Sequence, residues 1–189
     1  IFLGYLAVSF TLGIACKNAG LTALQATTMS LTNNTSAGEF AALGLITAGA
    51  AFLEMAVTQM IINLRYLLMS CALSQKLDPS TPFFHRFLLA FYVTDEIFGL
   101  SVCTEGKLNP FYTYGIIMAA SPGWALGTFL GVVSGNVLPA GILSALSVAL
   151  YGMFIAVIIP PTKKNRILAG LIVISMLSSL VFSYAPLVR

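Results

Sequence analysis

Runs of mainly apolar residues follow one another along the whole chain, each near the ~20 residues that a helix needs to cross a ~30 Å hydrocarbon layer. Only short polar or Pro-rich joints part them. Cutting at those joints gives seven spans, about 1 to 16, 22 to 50, 51 to 75, 86 to 103, 109 to 136, 139 to 159 and 165 to 185. Lys17-Asn18-Ala19-Gly20 ends the first, the loop from Lys76 to Pro82 ends the third, and Pro160-Pro161 stops the sixth. The runs are too long for strands and lack the alternation of a membrane strand. An all-α, polytopic transmembrane bundle in one domain is the expected fold.

Composition supports this. Of 189 residues, 58% are apolar and 8% charged, against roughly 25% charged residues in an ordinary soluble domain. The mean hydropathy is +0.95. The formal net charge of +3 includes no block of like charge able to grip nucleic acid. Lys163, Lys164 and Arg166 form the basic cluster and read as a loop anchored at a membrane face. Cys16, Cys71 and Cys103 are scattered through apolar segments, which suits packing and neither a disulfide framework nor a metal site. No cofactor is expected. The chain opens at Ile1 inside an apolar run, so part of an N-terminus is expected to be missing, and no signal-peptide pattern is present.

Two spans carry internal punctuation. The second is interrupted at Asn33-Asn34-Thr35-Ser36, where Ser36 and Glu39 have capping-box spacing, and Thr22 with Gln25 has the same spacing at that span's start. The fifth is interrupted at Ser121-Pro122-Gly123, where Ser121 can cap and Pro122 can take the first helical position. Both spans are predicted to be broken helices. A shift of about 86 residues then lays the first three spans on the next three, residues 1–76 on 86–160, with an extra helix at 165–185. Three spans per copy invert the second copy, the plan of many secondary transporters whose sites lie at discontinuous helices. Counting Lys and Arg on alternate loops gives four against four, which leaves the orientation open.

Charge within the spans points to a site. Arg65 falls near the centre of the third span, and Asp95 with Glu96 at the centre of the fourth. An Arg or Asp at such a depth costs ~2.5–3.5 kcal/mol and needs a partner or a polar cavity. Neighbours on a helix point about 100° apart, so Asp95 and Glu96 cannot both face Arg65. One carboxylate can pair with the cation while the other meets a cavity. Glu39 either completes a helix cap or faces substrate, and Trp124 either packs on substrate or fills space. Glu54 reads as an interfacial carboxylate and His85 as a loop side chain.

Asn63-Leu64-Arg65-Tyr66-Leu67-Leu68-Met69-Ser70, Thr94-Asp95-Glu96-Ile97-Phe98 and Ser36-Ala37-Gly38-Glu39-Phe40-Ala41-Ala42-Leu43 resemble the AzlC family, the large subunits of branched-chain amino acid exporters. The similarity runs from Gly4 through the last span. It departs from the family pattern at Glu39, usually Gln, and at Ala7-Val8-Ser9-Phe10, usually containing Pro-Phe-Gly. The resemblance implies a chain trimmed at both ends, a small AzlD-type membrane partner, a multi-pass position in the bacterial inner membrane, and proton-driven export of leucine, isoleucine, valine or other amino acids. Self-association is left open.

A zwitterion with an apolar side chain needs an anion holder, a cation holder and an apolar wall. Arg65 offers a fork for the carboxylate, oriented by Asn63. Helix N-termini at Ser36 and Ser121 offer N–H groups. Asp95, Glu96 or Glu39 can take the ammonium group, and a desolvated carboxylate, Asp95 or Glu96, can carry the proton. Trp124 borders the substrate. An enzyme is not expected, since neither a nucleophile with a base nor a metal spacing is present. The competing reading is a channel-like or non-transporting assembly subunit.

Overall fold

Thr22 opens a helix as its spacing predicts: its hydroxyl accepts the Gln25 N–H while the Gln25 side chain accepts the Thr22 N–H. In the computed structural model, which describes residues 1–134 and 166–184 together with 155, 159, 162 and 163, the chain is all-helical, with no named strand among the described residues. The elements are α1 Phe2–Asn18, α2 Ala23–Asn33, α3 Ser36–Thr47, α4 Phe52–Ile62, α5 Leu64–Lys76, α6 Phe83–Phe91, α7 Asp95–Val102, α8 Pro110–Ser134 and α9 Arg166–Tyr184. The expected sixth span, its Pro160-Pro161 stop and the third span of the second repeat lie outside the described residues.

The break between α2 and α3 falls where the sequence places it, with one correction. Asn34 closes α2 in the left-handed conformation (φ 49°), its N–H bonded to the Ser30 carbonyl. Thr35, not Ser36, is the N-cap of α3, and its side chain makes no cap bond. Glu39 therefore sits one position beyond the capping-box site, yet its carboxylate still reaches back and accepts the Thr35 N–H at 3.2 Å.

Two further breaks occur where none is predicted. The third span is bent by 43° between α4 and α5. Asn63 stands at the bend; its Nδ2 donates to Gln59 Oε1 (3.1 Å) and its Oδ1 accepts the Thr35 hydroxyl (3.2 Å). Both bonds are to side chains, and the Asn63 N–H keeps its helical bond to the Gln59 carbonyl. Gln59 Nε2 in turn donates to the Gly38 carbonyl at 2.7 Å, tying the bend to the start of α3. The fourth span is two short helices, with Thr94 capping α7 by accepting the Ile97 N–H. His85 consequently lies in the first turn of α6 rather than in a loop, its Nδ1 2.7 Å from the Tyr114 hydroxyl.

The predicted break at Ser121-Pro122-Gly123 is absent: α8 runs through Pro122 for 25 residues. Ser121 caps nothing, and its hydroxyl is buried without a partner. A proline removes one helical bond, and neighbouring helices in an apolar setting can carry that loss. Here the support is α1. Gly123, Gly127 and Gly131 recur every fourth residue, and a Cβ on Gly127 would stand 2.0 Å from Ser9 Oγ. One on Gly131 would stand 2.2 Å from the Phe10 carbonyl oxygen. Contact this close is the small-residue packing of membrane helices. Gly123 meets Phe2 and Gly131 meets Phe10, so α1 and α8 run in the same direction.

Among the described residues α8 is the one helix that is alone long and apolar enough to span; α4 and α5 qualify only together. Large apolar side chains cover the outside. Phe52 is 90% exposed, and Leu68 and Phe83 nearly as much, with no buried residue in α4. A surface of this kind belongs against hydrocarbon or another apolar surface.

Candidate functional site

The three helix breaks meet. Arg65 Nη2 donates to the Tyr66 hydroxyl (3.1 Å), which lies 3.1 Å from the Thr35 hydroxyl, which donates to Asn63 Oδ1. Arg65 Nη1 lies 2.8 Å from Asp95 Oδ2. This chain joins the α4–α5 bend, the start of α3 and the start of α7. Asp95 and Glu96 occupy the first turn of α7, where the positive end of the helix dipole favours carboxylates.

Adjacent positions on α7 send the two carboxylates apart. Asp95 takes Arg65, whose guanidinium also lies over the Tyr66 ring at 4.9 Å from its centre. Glu96 is buried, and its Oε2 accepts the Tyr5 hydroxyl at 2.7 Å. The Tyr5 oxygen lies 2.5 Å from Thr94 Oγ1.

A small cavity opens among these groups. Tyr5 and Val8 of α1, Asn34 and Ser36 at the start of α3, Thr94, Asp95 and Glu96 at the start of α7, Tyr66 and Trp124 line it. The space open to the centre of a water-sized sphere is about 20 Å³, room for one water and not for an amino acid. Arg65 and Asn63 are not among the lining residues; they hold its rim from behind, bonded to Asp95 and Thr35.

Glu39 lies behind the cavity wall, fully buried. Its Oε2 accepts the Ser30 hydroxyl (2.7 Å), and its Oε1 accepts Trp124 Nε1–H (3.0 Å) as well as the Thr35 N–H. The Ser30 and Thr128 hydroxyls are 2.8 Å apart, linking α2 to α8. Trp124 thus stands between Glu39 and the cavity, and its ring meets Tyr5 edge-on at 5.6 Å. Tyr5 and Trp124 together separate two acidic groups, Glu96 and Glu39.

Of the residues singled out from sequence, Ser36, Asp95, Glu96 and Trp124 face the cavity, while Arg65, Asn63 and Glu39 support it. Ser121, one turn before Trp124 on α8, does not line it but lines a different, apolar groove of about 640 Å³ with Leu31, Tyr92, Ile117, Met118 and Pro122. Glu54 is exposed in the first turn of α4. Sequence reasoning missed Tyr5, Ser30, Tyr66, Thr94 and Thr128. Each is a hydroxyl with no motif spacing of its own, so its long-range partner marks it.

Comparison with known proteins agrees with this picture of an apolar-surfaced helical protein. A protein of Archaeoglobus fulgidus named as an uncharacterized membrane protein is 28% identical over 172 residues, 90% of this chain and 75% of that protein. Inner membrane protein YgaZ of Escherichia coli is 23% identical over 173 residues, 88% of this chain and 71% of its own length. No solved structure matches. The family described as AzlC protein matches residues 1–138, which include every residue of the site just described. The chain is a membrane protein and belongs to the AzlC family.

Proposed function

We propose that the chain is the large subunit of a two-component exporter that moves branched-chain or other amino acids out of the cell, coupled to protons, and is not an enzyme. The observation that carries this reading is the convergence of three helix breaks, at Asn34-Thr35, at Asn63 and at Tyr92 to Thr94, on one polar cavity inside an apolar bundle. Discontinuous helices around a central cavity are how many transporters bind substrate. The first turn of α3 offers N–H groups to an anion, and Asp95 and Glu96 offer acceptors to an ammonium group. Arg65, taken up by Asp95, is assigned to hold that carboxylate and to release it as the site opens. Asp95, Glu96 and Glu39 are the groups through which a proton would be exchanged.

The proposed setting is a multi-pass bundle of about seven spans in the inner membrane, with a small AzlD-type subunit beside it. The parallel course of α1 and α8 requires an odd number of crossings between them. Three crossings (α2–α3, α4–α5, α6–α7) meet that requirement, although the break between α2 and α3 has no counterpart in the continuous α8, which an inverted second copy would place there.

The test is efflux of labelled leucine from proteoliposomes under an imposed pH gradient. Saturable, gradient-dependent flux is expected, reduced about tenfold or more by Arg65→Ala and by Asp95→Asn at normal protein abundance. Flux at wild-type rates in both variants would sink the site, and flux that never saturates would point to a channel-like subunit.

A further inference from the structure

Most polar groups around the central cavity are already bonded to a neighbour, among them Tyr5, Tyr66, Trp124 and Asp95. Asn34 is not. The residue lines the cavity and is 7% exposed, yet its Nδ2 has no hydrogen-bond partner. Buried amide donors in native proteins are nearly always paired, and one left over calls for an explanation. The left-handed backbone at Asn34 explains why Asn or Gly stands there. It does not explain why the carboxamide is buried in a polar cavity instead of hydrated.

Its surroundings supply the explanation. Ser36, two residues on, lines the same cavity with a hydroxyl that bonds no described residue, and it begins a helix of 12 residues whose first N–H groups lack intrahelical partners. Donors and a positive dipole end are therefore gathered in the cavity lining. In the same lining, Asp95 and Glu96 each use one oxygen, on Arg65 and Tyr5. The second oxygen of each bonds no other described residue. Unused donors and unused acceptors on one cavity match a zwitterion.

We infer that the Asn34 side chain, with Ser36 and the first turn of α3, binds the carboxylate of the transported amino acid, and that Glu96 in the same lining receives its ammonium group. This rests on the transport reading above and deepens it: the cargo must carry a free carboxylate, and its anchor is Asn34, not Arg65. The cavity widens to admit it, since the space present holds a single water.

The test is calorimetric titration of the full-length protein in lipid nanodiscs with L-leucine, L-leucinamide, which lacks the carboxylate, and 4-methylpentanoate, which lacks the ammonium group. Wild-type protein is expected to prefer leucine over leucinamide by about tenfold or more. Asn34→Asp keeps the side-chain shape and tolerates the left-handed backbone, but sets a negative charge against the ligand carboxylate. Leucine affinity is expected to fall about tenfold or more in it, with leucinamide little changed. Asn34→Gly removes the donor without adding charge; a loss of about threefold or more for leucine alone is expected, and this variant decides the matter if the Asp variant misfolds. Unchanged leucine affinity and unchanged preference over leucinamide in these variants overturns the Asn34 assignment and leaves the transport reading standing. Equal binding of leucine and leucinamide by wild-type protein also overturns it. If wild-type protein binds none of the three probes, the transport reading falls and the subsite falls with it.

Discussion

Trp124 shows how much one N–H does in this interior. Its Nε1 supplies one of the bonds to the fully buried Glu39, and no cation lies among that carboxylate's bonded partners. Trp124→Phe keeps most of the ring but leaves a buried carboxylate short of a donor, a loss of about 1–3 kcal/mol. A lower melting temperature of the detergent-purified protein is the expected result; an unchanged one would mean that Glu39 does not need the bond. The Arg65–Asp95 pair behaves differently. Asp95→Asn strands a cation at a depth where insertion costs ~2.5–3.5 kcal/mol, so both stability and transport should drop. In the double swap Arg65→Asp with Asp95→Arg the pair is restored, so stability should recover while leucine flux stays lost. Recovery of flux would show that the pair serves only to lock α5 to α7.

At the scale of elements, the α1–α8 contact and the helix breaks set the architecture. Gly131→Ala pushes a methyl group to within 2.2 Å of the Phe10 carbonyl oxygen, and overpacking of this sort costs about 1–3 kcal/mol. Gly115 lies on the same helix with nothing near its absent side chain, so Gly115→Ala should be neutral or stabilising by about 0.5–1 kcal/mol. Measured together, thermal stabilities that move in opposite directions confirm that close approach, and not helix propensity, governs α8. Equal shifts would refute it. The breaks differ from this contact in being polar. Polar side chains stand at each, Thr94 capping α7, Asn63 at the start of α5 bonded to Gln59 and Thr35, and Asn34 and Thr35 before α3, and each leaves backbone groups without helical partners within an apolar bundle. Such backbone is tolerated only where protein or a water-filled cavity receives it, which is the position of all three here.

For the whole molecule, a cavity of about 20 Å³ has no room for an amino acid. Substrate passage then requires the broken helices to move, and Ser36 should report it. With the exposed Cys71 and Cys103 replaced by Ser, and Cys16 buried, Ser36→Cys is expected to react slowly with a small aqueous thiol reagent at rest and faster under a transport-driving gradient. Fast labelling at rest would mean the cavity is open to water without any cycle. Much of this architecture was legible in the chain itself. The helical class, the membrane setting, the Thr22 cap, the break at Asn34-Thr35 and the need of Arg65 for an acidic partner all follow from local chemistry: the hydropathy of a run, the spacing of a cap, the cost of a charge in hydrocarbon. The departures share a cause. Pro122 did not interrupt α8 because Gly123, Gly127 and Gly131 seat it against α1, and the unforeseen bend at Asn63 is tied to the start of α3, where Thr35 bonds Asn63 and the Gly38 carbonyl accepts from Gln59. Tyr5 became part of the site only when α7 brought Glu96 to it. Sequence determined which segments leave water and which residues are expensive there, because solvent acts on each segment separately. Tertiary structure alone decided which helices break and which carboxylate meets the cavity, because those outcomes depend on partners as distant along the chain as Phe10 is from Gly131.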